Sequence, residues 1–260
     1  MYLNQRIDIN CDLGESYGEF RVGNDAEIMP YITSANVACG FHAGDPMTMA
    51  QTINLAKKHR VAVGAHPGFP DLMGFGRREI QLTIEEAKNY VIYQTGALLG
   101  FAKAANLGVQ HVKPHGAMYN MAGKDERLAK AIVEAAKVAD ANLIVFASPN
   151  SALARVAAKN GLRVAYEFFA DRAYNSDGSL VSRKHPNGII HEPKKVIERV
   201  AKVVSERTVL AIDGEIVNLG EVNTVCVHGD TINAVELAKN LKRGLIRRGI
   251  AVEPVGNFVR

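Results

Sequence analysis

The chain has 260 residues, which suits one α/β barrel or two small domains. Its net charge is +4, from 31 basic and 27 acidic side chains, and no long run of like charges occurs, so a nucleic-acid or membrane-surface protein is not indicated. No basic start leads into an apolar stretch as in a signal peptide, and no apolar run nears the roughly 20 residues that cross a bilayer; the expected compartment is the cytoplasm.

Strand-like and helix-like segments alternate from start to finish. Ile7 to Cys11 reads as a first strand and Asp25 to Ile32 as a short helix. Ala35 to Ala38 is a second strand, and the helix Pro46 to His59 carries its proline in the first turn, where a missing N–H costs little. Val61 to Ala65 is a third strand. Thr83 and Glu86 have the spacing of a capping box for a helix running to Asn106. Val109 to Val112 is a short strand, Asp125 to Val138 a helix, Leu143 to Phe146 a strand, Asn150 to Lys159 a helix and Arg163 to Tyr166 a strand.

Glu167 to His191 then shows no clean periodicity, and a loop of that length in a compact domain is usually functional or mobile. The helix Pro193 to Val204 follows, and Asp213-Gly214 between apolar runs predicts a two-residue hairpin turn. Thr224 to Val227 and the helix Thr231 to Arg248 complete the series. Strands separated by helices imply parallel pairing with right-handed crossovers. No linker composition divides the chain, so one domain over residues 1–260 is expected. The three cysteines, Cys11, Cys39 and Cys226, lack Cys-x-x-Cys spacing and sit in apolar runs, which predicts buried, inert thiols.

The informative pattern lies at the end of each apolar run. Asp12, His42, His66, His115 and His228 all stand where a strand should end. In a parallel α/β barrel the loops after the strands open onto one face, so such residues collect at one mouth. Asp12, with Glu15 close by, either caps the next helix or serves as a metal ligand or base, with Asn10 in support. His42 lies between Gly40 and Gly44; Asp45, before Pro46, reads first as a helix cap. His66 opens a constrained loop closed by Arg77 and Arg78, a pair suited to a carboxylate or phosphate or else a solvated helix start.

Lys113 and His115 are two residues apart and face one side of an extended segment, whereas His111 reads as structural. Glu167, Asp171 and Arg172 cluster in YEFFADRAY, with Glu167 as acid, base or ligand and an Asp–Arg pair shaping the loop. His228 and Asp230 repeat the His-Gly pattern, Asp230 also being a possible cap; His185 and His191 read as exposed. There is no P-loop, no nucleophile elbow and no H-E-x-x-H. Scattered Asp, His and Glu fit water activation, with or without a metal.

Taken together and in this order, IDINCDLGES, NVACGFHAGD, VGAHPGFPDLMGFGRR, VKPHGAMYN, EFFADRAY and VCVHGD resemble the LamB/YcsF family, understood as the A subunit of the prokaryotic ATP-dependent 5-oxoprolinase. The resemblance runs from about Arg6 to near the C-terminus. It implies a fold similar to the glycoside hydrolase/deacetylase type, an irregular seven-stranded β/α barrel. The implied reaction opens the lactam of 5-oxo-L-proline to L-glutamate with ATP hydrolysis, alongside subunits B and C. Without a P-loop, ATP is expected on a partner or at a shared interface.

On this reading Asp12, His66 and His115 serve water activation or hold a divalent metal, as the Asp-His-His triad of related deacetylases does. Glu167 or His228 transfers protons, and His42 belongs to the catalytic group. Arg77, Arg78, Lys113 or Arg172 clamps the substrate carboxylate, with Asp171 and Asp230 beside the substrate. Two other readings compete: a stand-alone metal-dependent deacetylase or amidohydrolase that needs neither ATP nor partner, and a binding subunit with a vestigial pocket.

Overall fold

The computed structural model describes residues 5–190, 192–229 and 233–260. In chain order the elements are β1 (Arg6–Leu13), α1 (Asp25–Ile28), β2 (Ser34–Ala38), α2 (Pro46–His59), β3 (Ala62–His66), α3 (Ile84–Ala104), β4 (Val109–Val112), α4 (Gly116–Ala122) and α5 (Glu126–Ala139). They continue with β5 (Ile144–Ala147), α6 (Ala152–Lys159), β6 (Val164–Phe169), α7 (Pro193–Glu206), β7 (Thr208–Leu210), β8 (Ile216–Asn218), β9 (Thr224–Val227), α8 (Ala234–Arg247) and β10 (Ala251–Val252). Strands β1 to β6 pair in sequence, β9 pairs with β6, and β9 pairs with β1, so seven parallel strands close a barrel. The strand β10 adds outside the start of β1. No helix of the described residues is long and apolar enough to cross a membrane.

The caps follow the sequence. Asp45 accepts from the Thr48 N–H at 2.8 Å, and Thr83 with Glu86 forms a complete capping box; each such cap contributes about 1 kcal/mol. Helix α4 occupies part of the stretch between β4 and α5, to which the sequence pattern assigns no element. Two expectations are corrected. Strand β6 runs on to Phe169, which places Glu167 inside the barrel rather than in the following loop. The hairpin strands stop at Leu210 and Ile216, so their connection spans residues 211–215, with Gly214 at φ +94°.

The barrel interior is polar. Side chains alternate along a strand, and in β1 Ile7, Ile9, Cys11 and Leu13 join the hydrophobic core while Asp8, Asn10 and Asp12 bond across the lumen. Asp8 closes the lower end: it accepts from Thr224 Oγ1 at 2.5 Å, Thr33 Oγ1 at 2.6 Å and Ser34 Oγ at 2.7 Å. Above it Asn10 Nδ2 donates to Thr224 Oγ1 at 2.8 Å and to Glu167 Oε1 at 3.0 Å. Asn36 Nδ2 donates to Asn10 Oδ1 and to Asp12 Oδ1, both at 2.7 Å. His111 donates from Nε2 to Asn36 Oδ1 at 2.7 Å and stacks on Phe146, which is the structural role its position predicts.

Burial pushes the Asp8 carboxyl up to about 6 from 3.8, against the lowering effect of its hydroxyl donors. The folded chain therefore keeps a proton that the unfolded chain releases across this window. Stability from this group falls as pH rises from 3.8 to about 6. Asp8→Asn removes that dependence. Urea midpoints should show the variant gaining on the natural chain between these pH values, by on the order of 3 kcal/mol at most. Parallel pH profiles for the two chains would refute the assignment.

Candidate active site at the barrel mouth

Lys113 follows β4 and turns back into the lumen, where it is buried. Its Nζ lies 2.7 Å from Glu167 Oε1 and 3.0 Å from Asp12 Oδ1, and donates to Asn10 Oδ1 at 3.2 Å. Burial alone would drive the ammonium towards neutrality; the carboxylates of Asp12 and Glu167 outweigh it and hold the lysine charged. Burial likewise opposes ionisation of Asp12, but His66 and Lys113 keep its carboxyl well below the ordinary range. Cys226 Sγ is 3.2 Å from Lys113 Nζ, and all three cysteines are buried and free, as expected.

Beside this charge cluster stands a second group, from the ends of β2, β3 and β4. His42 and His115 stack with ring centroids 3.8 Å apart and planes 3° from parallel. His66 meets both edge-on, with its Nε2 3.0 Å from His115 Nδ1 and 3.4 Å from Asp12 Oδ2. Glu15 Oε1 reaches to 3.6 Å from His42 Nε2 and 3.7 Å from His115 Nδ1. Burial, reinforced by the neighbouring rings, lowers His42 and His115 far below an ordinary imidazole, so both are neutral at pH 7. The glycines of the loop after β3 make room for this stack. A Cβ on Gly68 would lie 2.6 Å from His42 Nδ1, and one on Gly76, at φ +62°, would lie 2.6 Å from His42 Cβ and 2.8 Å from His115 Cδ2.

A third unit completes the mouth. His228, after β9, puts Nδ1 2.9 and 3.0 Å from the two carboxylate oxygens of Asp171. A carboxylate accepts, so the Nδ1 proton is fixed and Nε2 is left as the acceptor. Burial raises the Asp171 carboxyl, but His228 outweighs this and holds it below the usual range.

The LamB/YcsF family model matches residues 7–260. The chain belongs to the LamB/YcsF family. The 5-oxoprolinase A subunit of Pyrococcus horikoshii is 52% identical over 98% of this chain and all of that protein. Its counterpart in Campylobacter jejuni is 51% identical, covering 98% of this chain and 99% of that one. The crystal structure of a lactam utilization protein from Thermus thermophilus superposes with a TM-score of 0.91 at 45% identity, over 96% of this chain and 99% of that one.

In this LamB/YcsF barrel, Asp12, His42, His66, Lys113, His115 and His228 stand at or just beyond the ends of β1, β2, β3, β4 and β9, and Glu167 lies within β6, paired with Lys113 in the lumen. The cationic residues divide. Arg78 is tied to Asp71 in a short ion pair. Arg172 donates to Val181 O at 2.5 Å and Gly188 O at 3.4 Å, so it shapes the long loop. Asp171 hydrogen-bonds His228, where an Asp171–Arg172 pair was expected. Arg77 is exposed, with its guanidinium 4.9 Å over the Phe75 ring that packs on His115. Asp230 and His191 lie outside the described residues.

Among the described residues, Glu15, His42, His66 and His115 bring four potential ligand atoms within 4.8 Å of one another, and Asp12, Cys226 and His228 bring three; such a buried cluster could hold a divalent cation. Asp12 Oδ1 also accepts from Lys113 and Asn36. Asn36 and Thr224 were missed; the Asp8-Asn10-Asp12 alternation was the signal that polar side chains line the lumen. Glu15 stands close to Asp12 in the sequence, and its reach towards the histidines follows the turn at Gly14, φ +69°.

Proposed function

We propose that this chain acts as the A subunit of an ATP-dependent 5-oxoprolinase, opening the lactam of 5-oxo-L-proline to L-glutamate. The observation that supports this reading most is the end-to-end match, at 51–52% identity, to proteins named as 5-oxoprolinase A subunits. The site offers the groups the chemistry needs. A five-membered lactam is a resonance-stabilised amide that water opens poorly. Transfer of the γ-phosphoryl group of ATP to the amide oxygen, releasing ADP, makes the ring carbon electrophilic. Water adds to that carbon and gives its proton to a base. The ring nitrogen then departs with a proton, leaving an acyl phosphate that a second water hydrolyses to carboxylate and phosphate.

His228 Nε2, freed by the Asp171 bond to Nδ1, is the base that takes the water proton. Asp12 orients the water, and Lys113 balances charge developing on the oxygens. His228 then returns the proton it took from water to the departing nitrogen, while the Glu167 carboxylate holds Lys113 in place. Arg77 receives the substrate carboxylate at the rim. The chain carries no P-loop, so ATP is placed on, or shared with, a partner corresponding to subunits B and C. The test is glutamate formation from 5-oxoproline by the chain alone and with B and C subunits, each with and without ATP. Turnover is expected only with partners and ATP; ATP-independent turnover by the chain alone would favour a stand-alone amidohydrolase and overturn the reading.

A further inference from the structure

The loop that carries Asp171 is held from the helix layer. Helix α7 turns Val196, Val200 and Val203 into the core. Arg199 stands at helical spacing from Val196 and Val203 and is half-buried beside them. Its guanidinium sits 5.4 Å over the Phe168 ring, which stacks on Tyr174 at 5.2 Å. From there Nη1 donates to the Ala170 carbonyl and Nη2 to the Arg172 carbonyl, both at 2.9 Å. Neither bond goes to a carboxylate. Burial pulls the guanidinium below the ordinary arginine value, against Tyr174 and Asp171. A desolvated charge aimed at two carbonyls is costly unless the geometry it fixes is used.

The residue between those two carbonyls is Asp171. The Ala170 carbonyl belongs to the peptide unit before it. The Asp171 carbonyl, in the unit after it, accepts from the Ile190 N–H at 2.7 Å. Both rigid peptide planes that flank the Asp171 Cα are therefore tied, and the direction of its side chain follows. That carboxylate lies 2.9 and 3.0 Å from His228 Nδ1. We propose that Arg199 is a positioning residue for proton abstraction: it aims Asp171, and through Asp171 it holds the His228 ring in place with Nε2 bare. This role rests on the lactam-opening reading, in which His228 is the base. Arginine suits the task because its planar fork spans two acceptors at once, whereas a lysine ammonium is a point charge without a fixed fork.

Arg199→Met and Arg199→Lys are compared with the natural chain and with Asp171→Asn, each assembled with the partner subunits and ATP. Each Arg199 variant should lower kcat by about 10–100-fold with KM little changed, since a small misplacement of a reacting group costs about that much. The acidic arm of the kcat profile should move in the direction it takes in Asp171→Asn. In the Asp171→Asn background, Arg199→Met should lower kcat by less than about 3-fold more, because the two residues act as a unit. Nitrogen NMR of the His228 ring in the full chain supplies a readout that needs no turnover. Where the ring is neutral, the natural chain should show one tautomer, with the proton on Nδ1, and Arg199→Met a mixture. Should Arg199→Met not fold, Arg199→Lys, which keeps the charge and most of the volume, carries the test. A folded Arg199 variant with unchanged kcat, pH profile and ring-nitrogen signals overturns the proposal, whatever its stability, and leaves Arg199 as a brace of the loop. If the natural complex does not open 5-oxoproline, the lactam reading fails, and the ring-nitrogen signals still decide whether Arg199 sets the His228 tautomer.

Discussion

Lys113→Met is expected to destabilise the fold by about 3–5 kcal/mol and to abolish glutamate formation. The lysine ammonium is the cation shared by two buried carboxylates, 2.7 Å from Glu167 and 3.0 Å from Asp12. An intact buried ion pair adds little net stability, because desolvation of the charges offsets their attraction. Removing one member is different, since the desolvation cost remains and the attraction is gone. Methionine fills the volume of the lysine stem and isolates the charge as the variable. Glu167→Gln in the same chain removes one stranded carboxylate, so the double variant should be more stable than Lys113→Met alone. That non-additivity is the signature of direct coupling. Urea unfolding of the natural chain, both single variants and the double measures it. A loss below about 1 kcal/mol for Lys113→Met would mean that the pocket is open to water and that the network is not buried as described.

The barrel was legible in the sequence because its strands are short apolar runs ending in charge or imidazole. Asp12, His66, His115 and His228 could be grouped at one mouth from that pattern, since parallel strands all end on the same side. What periodicity does not carry is partner choice. Glu167 stands only one residue beyond the apolar run that reads as a strand, and whether β6 stops before or after it decides between lumen and loop. Arg172 and Arg78 read as clamps because guanidinium suits carboxylate; backbone carbonyls of a folded loop and the carboxylate of Asp71 suit it as well, and both lie nearer. The four-donor group of Glu15, His42, His66 and His115 draws on segments far apart in the chain, and a left-handed glycine turn sets the direction of Glu15. Linear spacing contains none of that. The polar lumen was readable in principle: three side chains two apart in β1, all hydrogen-bonding, cannot face the helices.

Asp171→Asn should leave the fold intact and lower kcat by about 10²–10⁴-fold with KM little changed. Asp171 is a positioning residue: it acts on substrate only through His228, whose Nδ1 it holds at 2.9 Å. The carboxylate can only accept, so the imidazole must keep its proton on Nδ1 and present a bare Nε2. An amide in its place can donate, which allows the opposite tautomer and leaves Nε2 protonated and useless as a base; the same exchange in a serine-protease triad costs about 10⁴. Stability from Asp171 is also pH-linked. Its carboxyl is held below the ordinary value of 3.8, although burial alone would raise it, because His228 outweighs burial. That contribution is complete above pH 3.8 and is lost as pH falls through the depressed value. At neutral pH the natural chain therefore has the full pair, and the variant lacks it. Steady-state kinetics with partner subunits and ATP, run across pH, separate this role from a merely structural one. The acidic arm of the kcat profile, where His228 is lost as a base by protonation, should shift in Asp171→Asn and return in part with Asp171→Glu, while circular dichroism stays unchanged. A variant with unaltered kcat and pH profile would remove His228 as the base and leave proton abstraction to Asp12 or Glu167.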